Sequence, residues 1–258
     1  MNPPADEYAA SANLVQTYFQ LGLAISGSRR ADHESYSACL GPFPHPICNF
    51  AANLRLEPWA ARELAQHAVE QGAFHVYVLP SDRPKHIGEL LARAGFEPTY
   101  QLVQMVAHPS APQNRTELQL ASEAERRRVA AFMADQFFSA QTSSFRKRVA
   151  EATGLASGLG LYYTAEGVAI QSALMTCRHE GMLGVYNLCV ATQRRGRGHG
   201  KQLVAWTKQI AYEEGLLATL QCDRRLESWY AAQGFQAAGN VDVYALSKMQ
   251  HRVIIDSG

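Results

Sequence analysis

The sequence predicts an α/β fold of the α+β type, in which a mixed, mostly antiparallel sheet is flanked by helices. Three observations lead to this prediction. Segments with helical periodicity alternate along the chain with short apolar runs that are typical of strands. Turn signals join three successive apolar runs in the second half. The first half repeats part of this pattern more faintly, which predicts a second, smaller unit at the N-terminus.

Length and composition agree with a folded chain of this kind. Of the 258 residues, 47% are hydrophobic and 18% are charged, which is usual for globular proteins. The length suits one large domain or two small ones. A polar segment with two prolines, Ala107–Asn114, is the clearest break and indicates a linker. We therefore predict one unit over residues 1–110 and another over residues 111–258.

The second unit holds most of the predicted elements. They follow one another as strand 116–121, helix 122–138, helix 143–154, strands 159–164, 168–178 and 182–190, helix 201–214, strand 216–222, helix 227–233 and strand 241–248. Ser122 can cap the first of these helices, because its side-chain oxygen can accept from a free N–H group of the first turn. Ala165-Glu166-Gly167 and Glu180-Gly181 indicate the tight turns between the three middle strands.

The first unit resembles the later part of the second. Its predicted elements are strand 47–56, helix 60–71, strand 74–79, helix 86–93 and strand 100–106. Gly95-Phe96 follows the last of these helices just as Gly234-Phe235 follows the last helix of the second unit. We interpret this likeness as an internal repeat. A chance likeness between two α/β patterns is the alternative.

The most informative segment is a glycine-rich loop between a predicted strand and a predicted helix. Gly196, Gly198 and Gly200 alternate there with Arg197 and His199. The first N–H groups of a helix have no intrahelical partner, and the helix dipole adds partial positive charge. Glycines let an anion approach this backbone closely. The loop therefore predicts a phosphate or pyrophosphate site, with a basic turn that binds no ligand as the alternative. Four side chains add positive charge: Arg194, Arg195, Arg197 and Lys201.

Two short motifs resemble those of the GNAT N-acetyltransferase superfamily. Arg195-x-x-Gly198-x-Gly200 resembles the acyl-CoA pyrophosphate loop of that family, Gln/Arg-x-x-Gly-x-Gly/Ala. The segment Trp229–Phe235 resembles its later motif, in which an aromatic helix ends in Tyr-x-x-x-Gly-Phe. The resemblance covers roughly residues 116–248, about half of the chain. It implies a GNAT-like fold, and the repeat then implies a tandem of two GNAT-like units, the first of them degenerate.

The resemblance implies a site for acetyl-CoA, which would be a cosubstrate. In the family, the strand before the glycine loop diverges from the next strand, and the pantetheine arm lies in the gap. The main-chain groups that would pair with this arm belong to Leu188, Cys189 and Val190. The groups that would hold the pyrophosphate belong to Arg195, Gly196, Arg197, Gly198, His199, Gly200 and Lys201.

The resemblance also implies direct attack of an amine on the acetyl thioester in a ternary complex. Tyr230 matches a general acid common in the family, and a phenol can protonate the departing thiolate. A packing aromatic on a short helix is the alternative. Many relatives carry a glutamate on the strand before the loop, where this chain has Tyr186 and Asn187. We take Asn187 as the candidate that positions a water or the amine. Weaker candidates for a base, beside a water relay, are His179, Glu180 and His199.

The first unit departs from the family pattern. The segment Glu57–Arg62 stands where the glycine loop would lie, and it has an acidic residue and no glycine. Leu91 occupies the position that corresponds to Tyr230. We therefore expect that the first unit does not bind acyl-CoA in the usual way. It would instead support the second unit, line the acceptor cleft or form an interface, which leaves a homodimer open.

Charge and cysteine content argue against several classes of protein. The net charge of +1 indicates neither a nucleic-acid-binding nor a membrane-binding surface. Arg126-Arg127-Arg128 is predicted as the solvated face of a helix. The five cysteines include no Cys-x-x-Cys pair, so we expect reduced thiols and no metal site. The N-terminal segment lacks the features of a signal peptide, which favours a cytoplasmic protein.

These observations predict a cytoplasmic acetyl-CoA-dependent N-acetyltransferase. The acceptor is left open between a small-molecule amine, a peptide N-terminus and a lysine side chain. The alternative from another class is a non-catalytic acyl-CoA-binding sensor or regulatory protein. The missing carboxylate favours this alternative, and Tyr230 opposes it. A structural module whose basic loop binds any phosphate is a further alternative.

Overall fold

The computed structural model of the protein describes residues 5–111 and 117–246. The helices in these ranges are α1 (Ala5–Leu23), α2 (Pro58–Gln71), α3 (Ile87–Arg93), α4 (Glu123–Phe137), α5 (Ser143–Leu155), α6 (His199–Glu213) and α7 (Glu227–Ala231). The strands are β1 (Arg29–Asp32), β2 (Ser37–Leu40), β3 (Phe50–Ala52), β4 (His75–Val78), β5 (Phe96–Ala107), β6 (Gln119–Leu120), β7 (Gly160–Glu166), β8 (Ala169–His179), β9 (Met182–Val190), β10 (Leu217–Cys222) and β11 (Gln236–Leu246).

All of these strands belong to one sheet. Its order is β1-β2-β3-β4-β11-β5-β10-β9-β8-β7-β6. The pairs β3–β4 and β9–β10 are parallel, and the other neighbouring pairs are antiparallel. The predicted fold class, a mixed and mostly antiparallel sheet flanked by helices, is therefore confirmed.

The last strands of the two predicted units exchange places in this sheet. β5 ends the first unit but pairs with β10 of the second, from Val103 to Ala107. β11 ends the second unit but pairs with β4 of the first, from Asp242 to Ala245. The two exchanged strands also pair with each other. Each predicted unit therefore relies on the last strand of the other unit to complete its part of the sheet.

Buried side chains form a layer on each face of the sheet. On one face, α1, α4 and α5 share a single apolar cluster. On the other face, α2 and α3 pack on the strands of the first unit, whereas α6 and α7 pack on β5, β9 and β10. β2 shows the alternation, because Cys39 faces the first layer while Ala38 and Leu40 face the second. The molecule thus has three layers, with the sheet in the middle.

The N-terminal helix α1 was not assigned by the sequence analysis, although it has 19 residues. Asn13 lies in its middle and is fully buried. Its Oδ1 accepts a hydrogen bond of 2.7 Å from the Tyr186 hydroxyl. Its Nδ2 donates at 3.1–3.3 Å to three carbonyls of the β8–β9 hairpin: those of Cys177, His179 and Met182. A Cβ atom at Gly184 would lie 1.9 Å from Asn13 Oδ1, so this contact requires a glycine.

Element boundaries in the second unit agree with the predictions within a few residues, apart from the last strand, which begins earlier, at Gln236. In the first unit, the strand predicted over 47–56 covers only Phe50–Ala52. Asn53 ends it with a left-handed φ of 57°. Residues 112–116 of the predicted linker and first strand, and 247–248 of the last strand, lie outside the described residues. No helix in the described ranges is long and apolar enough to cross a membrane.

One charged residue lies where the sequence analysis did not place it. Arg126 was predicted on a solvated helix face but is only 7% exposed. Its guanidinium donates at 2.7–2.9 Å to three carbonyls around the end of α5: those of Gly154, Ala156 and Leu159. The end of a helix leaves carbonyls without intrahelical partners, and an arginine fork can satisfy several of them. Arg127 and Arg128 are exposed, as predicted.

Candidate functional site

A gap opens between β9 and β10. These parallel strands pair from Met182 opposite Leu217 to Val185 opposite Leu220. Beyond this point β9 continues to Val190 and stays paired with β8 on its other side. The remainder of β9 therefore presents one edge to a space between the carboxyl ends of two parallel strands.

A bulge sets the direction of the open edge. Asn187 adopts a φ of 50°, and the register between β8 and β9 shifts at this point. After the bulge, the Ala191 N–H donates to the Gln171 carbonyl at 2.8 Å. Because ladder bonds alternate along an antiparallel pair, the N–H and C=O of Val190 point away from β8. The Val190 carbonyl accepts a bond of 3.2 Å from Arg195 Nε.

The loop after β9 is exposed and leaves open space above its glycines. A short 3-10 turn, Thr192–Arg194, leads into it. Gly196 and Gly198 have φ values of 76° and 88°, which other residues rarely adopt. A Cβ atom at either position would meet nothing within 4 Å. Backbone conformation, rather than crowding within the chain, therefore requires glycine at these two positions.

The loop ends at the N-terminus of α6. The first intrahelical bond runs from the Gln202 N–H to the Gly198 carbonyl at 3.1 Å. The N–H groups just before Gln202 therefore have no intrahelical acceptor. A Cβ atom at Gly200 would touch the Trp229 ring at 3.6 Å, so α7 packs against the first turn of α6. The two motifs that carry the family resemblance thus lie next to each other.

The basic side chains of the loop differ in how they are engaged. Arg194 forms an ion pair with Glu166. Arg195 Nη2 donates to Gln136 Oε1 at 3.5 Å, in addition to its bond to β9. Arg197 and Lys201 are exposed and, among the described residues, have no ion-pair or hydrogen-bond partner. Positive charge at the helix N-terminus therefore remains free to meet an anion.

Tyr230 lies on the α6 side of the gap. It packs in one cluster with Leu188 of β9 and Cys222 at the end of β10. Its ring makes edge contacts with Trp229 and Phe235, at centroid distances of 4.8 and 6.0 Å. Burial, and to a lesser degree Cys222, raises the pKa of Tyr230 to about 12. The phenol therefore keeps its proton at neutral pH, and within the described residues its hydroxyl has no hydrogen-bond partner.

Gln221, a residue that the motifs did not indicate, lies on the other side of the sheet at the same gap. Its neighbours in β10, Leu220 and Cys222, pack toward α6, so alternation directs Gln221 to the face covered by α1. It lies near Tyr186, whose hydroxyl donates instead to Asn13. Both polar atoms of the Gln221 amide are buried without a partner among the described residues. A glutamine near the end of an apolar strand was the signal available in the sequence.

The candidates for a general base are not brought together. Asn187 is half-buried at the bulge beside the gap, and His199 is half-buried in the first turn of α6. His179 and Glu180 lie at the β8–β9 turn, at the opposite end of β9 from the gap. They line a cavity of about 940 Å³ that is formed with the first unit, including Asp82.

The first unit has a related strand pair whose gap is bridged by the chain itself. β3 and β4 run parallel, and Asn53 after β3 has a positive φ, as Asn187 has in β9. The Leu54 N–H donates to the Asp82 carboxylate at 2.9 Å. The Leu56 N–H donates to the Arg83 carbonyl at 2.7 Å, and the Arg83 N–H donates to the Leu54 carbonyl at 3.0 Å. The main-chain edge that a ligand would use is therefore already paired.

Among known proteins, solved structures match this chain. No family model matches the chain, and no curated protein sequence does. A GCN5-related N-acetyltransferase from Kribbella flavida is 14% identical with a TM-score of 0.65, and the alignment covers 92% of this chain and 94% of that one. An acetyltransferase of the GNAT family from Colwellia psychrerythraea is 14% identical with a TM-score of 0.52, covering 92% and 96%.

A tandem GNAT protein from the clavulanic acid biosynthesis pathway is also similar. It is 12% identical with a TM-score of 0.51, and the alignment covers 92% of this chain and 95% of that one. Because these alignments span both predicted units, the likeness is not limited to the half that carries the motifs. The chain therefore has the GNAT fold, as the resemblance in its sequence implied.

Proposed function

We propose that the chain is an acyltransferase that moves an acetyl group from acetyl-CoA to an amine. The observation that carries this proposal is the junction of three features at one end of β9. These are the open strand edge after Asn187, the glycine-rich N-terminus of α6 and the buried phenol of Tyr230. The anion site, the strand edge and the proton donor are the three groups that an acyl-CoA thioester would need.

Acetyl-CoA would bind along the edge of β9 and at the start of α6. Amides of its pantetheine arm can pair with main-chain groups of Leu188 and Val190, as an added strand pairs with a sheet edge. The main-chain groups of Cys189, between them, face Ala173 of β8. The pyrophosphate would accept hydrogen bonds from N–H groups of the loop 195–201. Arg197 and Lys201 supply charge without first having to leave an ion pair within the described residues. Arg194 would have to exchange Glu166 for a phosphate.

The reaction would proceed by direct attack. The amine nitrogen bonds to the thioester carbonyl carbon, the carbon–sulfur bond breaks, and the amine gives up one proton to water. Tyr230 would donate its proton to the departing thiolate and regain one from solvent afterwards. With a pKa raised to about 12 by burial, the phenol is protonated before the reaction, as a proton donor must be. Asn187, next to the bulge, would position the water or the amine.

The acceptor would approach from the face covered by α1. Gln221 offers an amide there that makes no hydrogen bond of normal geometry within the described residues and has the Tyr186 hydroxyl as a polar neighbour. It lies opposite the side occupied by Tyr230. Buried polar groups normally have partners, so an amide left without one favours a ligand contact. We infer an acceptor with a hydrogen-bonding group near its amine, since an apolar amine would leave this amide unpaired.

The first unit, residues 1–110, would support the second unit, residues 111–258, rather than bind a second acyl-CoA. Its own strand edge is paired to the segment that carries Asp82. Its helix α2 begins at Pro58, directly after Glu57, so an anion there would meet an acidic side chain and no glycine. Its helix α1 holds β9 through Asn13.

A non-catalytic acyl-CoA sensor is the second candidate. One observation favours it, because β9 carries no carboxylate near the gap, where Tyr186 and Asn187 stand. Such a protein would bind acyl-CoA at the same loop and would release no thiol in the presence of amines.

The deciding experiment is calorimetric titration of acetyl-CoA, followed by a thiol-release assay with a panel of amines. We expect saturable binding by the wild type and none by Gly198→Glu, because the carboxylate would stand in the open space at the helix N-terminus. Gly181→Glu is the matched control, since Gly181 also has a positive φ and open surroundings but lies at a distant turn. Binding with thiol release supports the enzyme, whereas binding without it for any amine supports the sensor. No binding to the wild type would refute both.

A further inference from the structure

A second group of chemistry-bearing side chains lies outside the proposed cleft. It joins the turn between β1 and β2 to helix α2 of the first unit. His33 lies in the turn, and Glu63 and His67 lie on the helix. One ligand atom from each of these three residues lies within 4.8 Å of the other two. We call this group the His33 cluster.

Local structure brings the three side chains together. Glu63 and His67 are four residues apart in α2, so their side chains share one helix face. The turn is closed by a bond of 2.8 Å from the His33 N–H to the Tyr36 carbonyl. The Tyr36 ring also stacks on the His33 ring at a centroid distance of 4.5 Å and an angle of 27°. This stacking holds the imidazole over the helix face that carries the other two residues.

Several buried polar atoms in and beside the His33 cluster make no hydrogen bond of normal geometry within the described residues. They are Glu63 Oε2, both ring nitrogens of His67 and the hydroxyl of the adjacent Tyr36. Tyr36 is only 1% exposed, so water outside the protein does not reach it freely. Leaving buried donors and acceptors unpaired is costly, and most are paired in folded proteins. Several unpaired atoms at one point indicate a missing ligand with which they would interact.

We propose that His33, Glu63 and His67 bind a zinc ion, a site without cysteines that departs from the expectation of no metal site. Two imidazoles and one carboxylate form a nitrogen-and-oxygen ligand set that suits Zn²⁺, whereas Mg²⁺ and Ca²⁺ prefer oxygen ligands alone. Tetrahedral zinc with bonds of about 2.0–2.1 Å needs ligand atoms roughly 3.3 Å apart, a separation that small side-chain rotations can produce. The exposed His33 is free to make such a movement.

Two neighbours complete the site. The Tyr36 hydroxyl, which lies beside the Glu63 carboxylate, can hydrogen-bond to a water in the fourth coordination position. Glu70 Oε2 lies 3.7 Å from His67 Nδ1. A carboxylate at this place can orient a zinc-bound histidine whose other nitrogen, Nε2, holds the metal. The ion would tie the β1–β2 turn to α2. Five strands of the sheet separate β2 from β9 and its glycine loop, so zinc binding does not depend on the proposed acyl transfer.

The test uses the full chain without a histidine tag, stripped of metal by a chelator and titrated with zinc alone. We expect one zinc ion per chain and a rise in melting temperature with zinc concentration. Cobalt in place of zinc should give the absorption bands of a four- or five-coordinate ion. His33→Gln should weaken zinc binding at least about tenfold, and it should fold normally because His33 is exposed.

Two further variants make the result specific. Glu63→Gln keeps the shape of the side chain and removes its charge, so it should also weaken zinc binding at least about tenfold. His86→Gln removes an exposed histidine at the start of α3, away from the cluster, and should bind zinc as the wild type does. Absence of saturable binding by the wild type would overturn the proposal. Equal binding by wild type, His33→Gln and Glu63→Gln would overturn it as well.

Discussion

Asn13 on the N-terminal helix and Tyr186 on β9 are joined by a hydrogen bond of 2.7 Å, although 173 positions separate them in the sequence. The bond ties the first unit to the strand that forms one wall of the proposed acyl-CoA cleft. The same asparagine also bonds to the carbonyl groups of Cys177, His179 and Met182 on the β8–β9 hairpin. Because one side chain serves so many partners, its removal is informative.

Replacing Asn13 with Leu should destabilise the protein by about 2–4 kcal/mol. The change leaves the Tyr186 hydroxyl and three carbonyl groups with fewer partners in a buried site, and leaving each such group unpaired carries a cost. Urea unfolding followed by circular dichroism measures the difference. Tyr186→Phe removes only one of these partners and should cost about 1 kcal/mol. Equal effects of the two variants would contradict the central role given to Asn13.

Tyr230→Phe should lower turnover by roughly tenfold to a thousandfold and leave the affinity for acetyl-CoA nearly unchanged. The ring would still pack against Trp229 and Phe235, so only the proton donor is lost. Thiol release and calorimetry give the two quantities. Tyr212→Phe, on the exposed side of α6, is the control and should behave as the wild type. Unchanged turnover in Tyr230→Phe would remove the phenol from the mechanism.

Since the pKa of Tyr230 is raised to about 12, the donor stays protonated through the neutral and mildly alkaline range. Ionisation of this phenol should therefore cause no loss of wild-type turnover between pH 7 and pH 10. A loss of activity in this range that disappears in Tyr230→Phe would show that the phenol ionises earlier than its burial implies.

Gln221→Met should raise the KM for the amine and stabilise the protein in its absence. The amide of Gln221 is buried without a partner in the described part of the chain, and an apolar side chain of similar length removes this cost. The expected gain in stability is on the order of 1 kcal/mol. Thermal unfolding and steady-state kinetics with the best amine from the panel measure the two effects. A loss of stability together with an unchanged KM would show that Gln221 is structural.

Protonation of His45 should destabilise the protein below neutral pH. Burial, with a smaller contribution from His75, lowers the pKa of His45 from 6.5 to about 4. Its Nδ1 also accepts a hydrogen bond of 3.0 Å from the Ile47 N–H, which protonation would remove. Between pH 6.5 and pH 4 the unfolded chain binds a proton at this site and the folded chain does not. Stability contributed by the neutral ring is therefore full above pH 6.5 and is lost progressively as the pH falls.

The loss should approach 3 kcal/mol at pH 4, and His45→Phe should flatten this part of the stability profile. Melting temperatures from pH 7 to pH 4 measure the effect. Phe96→Leu is a control, because Phe96 is buried in the apolar cluster of the first unit, makes no ring contact with His45 and does not titrate. It should lower stability at every pH without changing the slope. The same slope in the wild type and His45→Phe would assign the acid sensitivity to other groups.

Local chemistry made much of the second unit predictable. Ser122 and Glu125 form the capping box that begins α4, and Gly198 and Gly234 adopt the left-handed φ values for which glycine is suited. Strand β9 begins at Met182 and ends at Val190, as its apolar pattern and the turn before it predicted. Each of these features depends on residues only a few positions apart, so periodicity and turn preference were sufficient.

The sequence by itself thus determined the fold class, most element boundaries and the glycine loop with its free helix N-terminus. Only the tertiary structure decided the exchange of β5 and β11, the docking of α1 through Asn13 and the pairing of the first-unit strand edge with Asp82. It also decided that Gln221 faces the gap and that His33 meets Glu63 and His67. The physical reason is that periodicity reports which face of an element is buried, but not which distant element covers it. Asn13 and Arg126 are polar residues whose partners lie far along the chain, so their burial became visible only when the carbonyls they satisfy were in place.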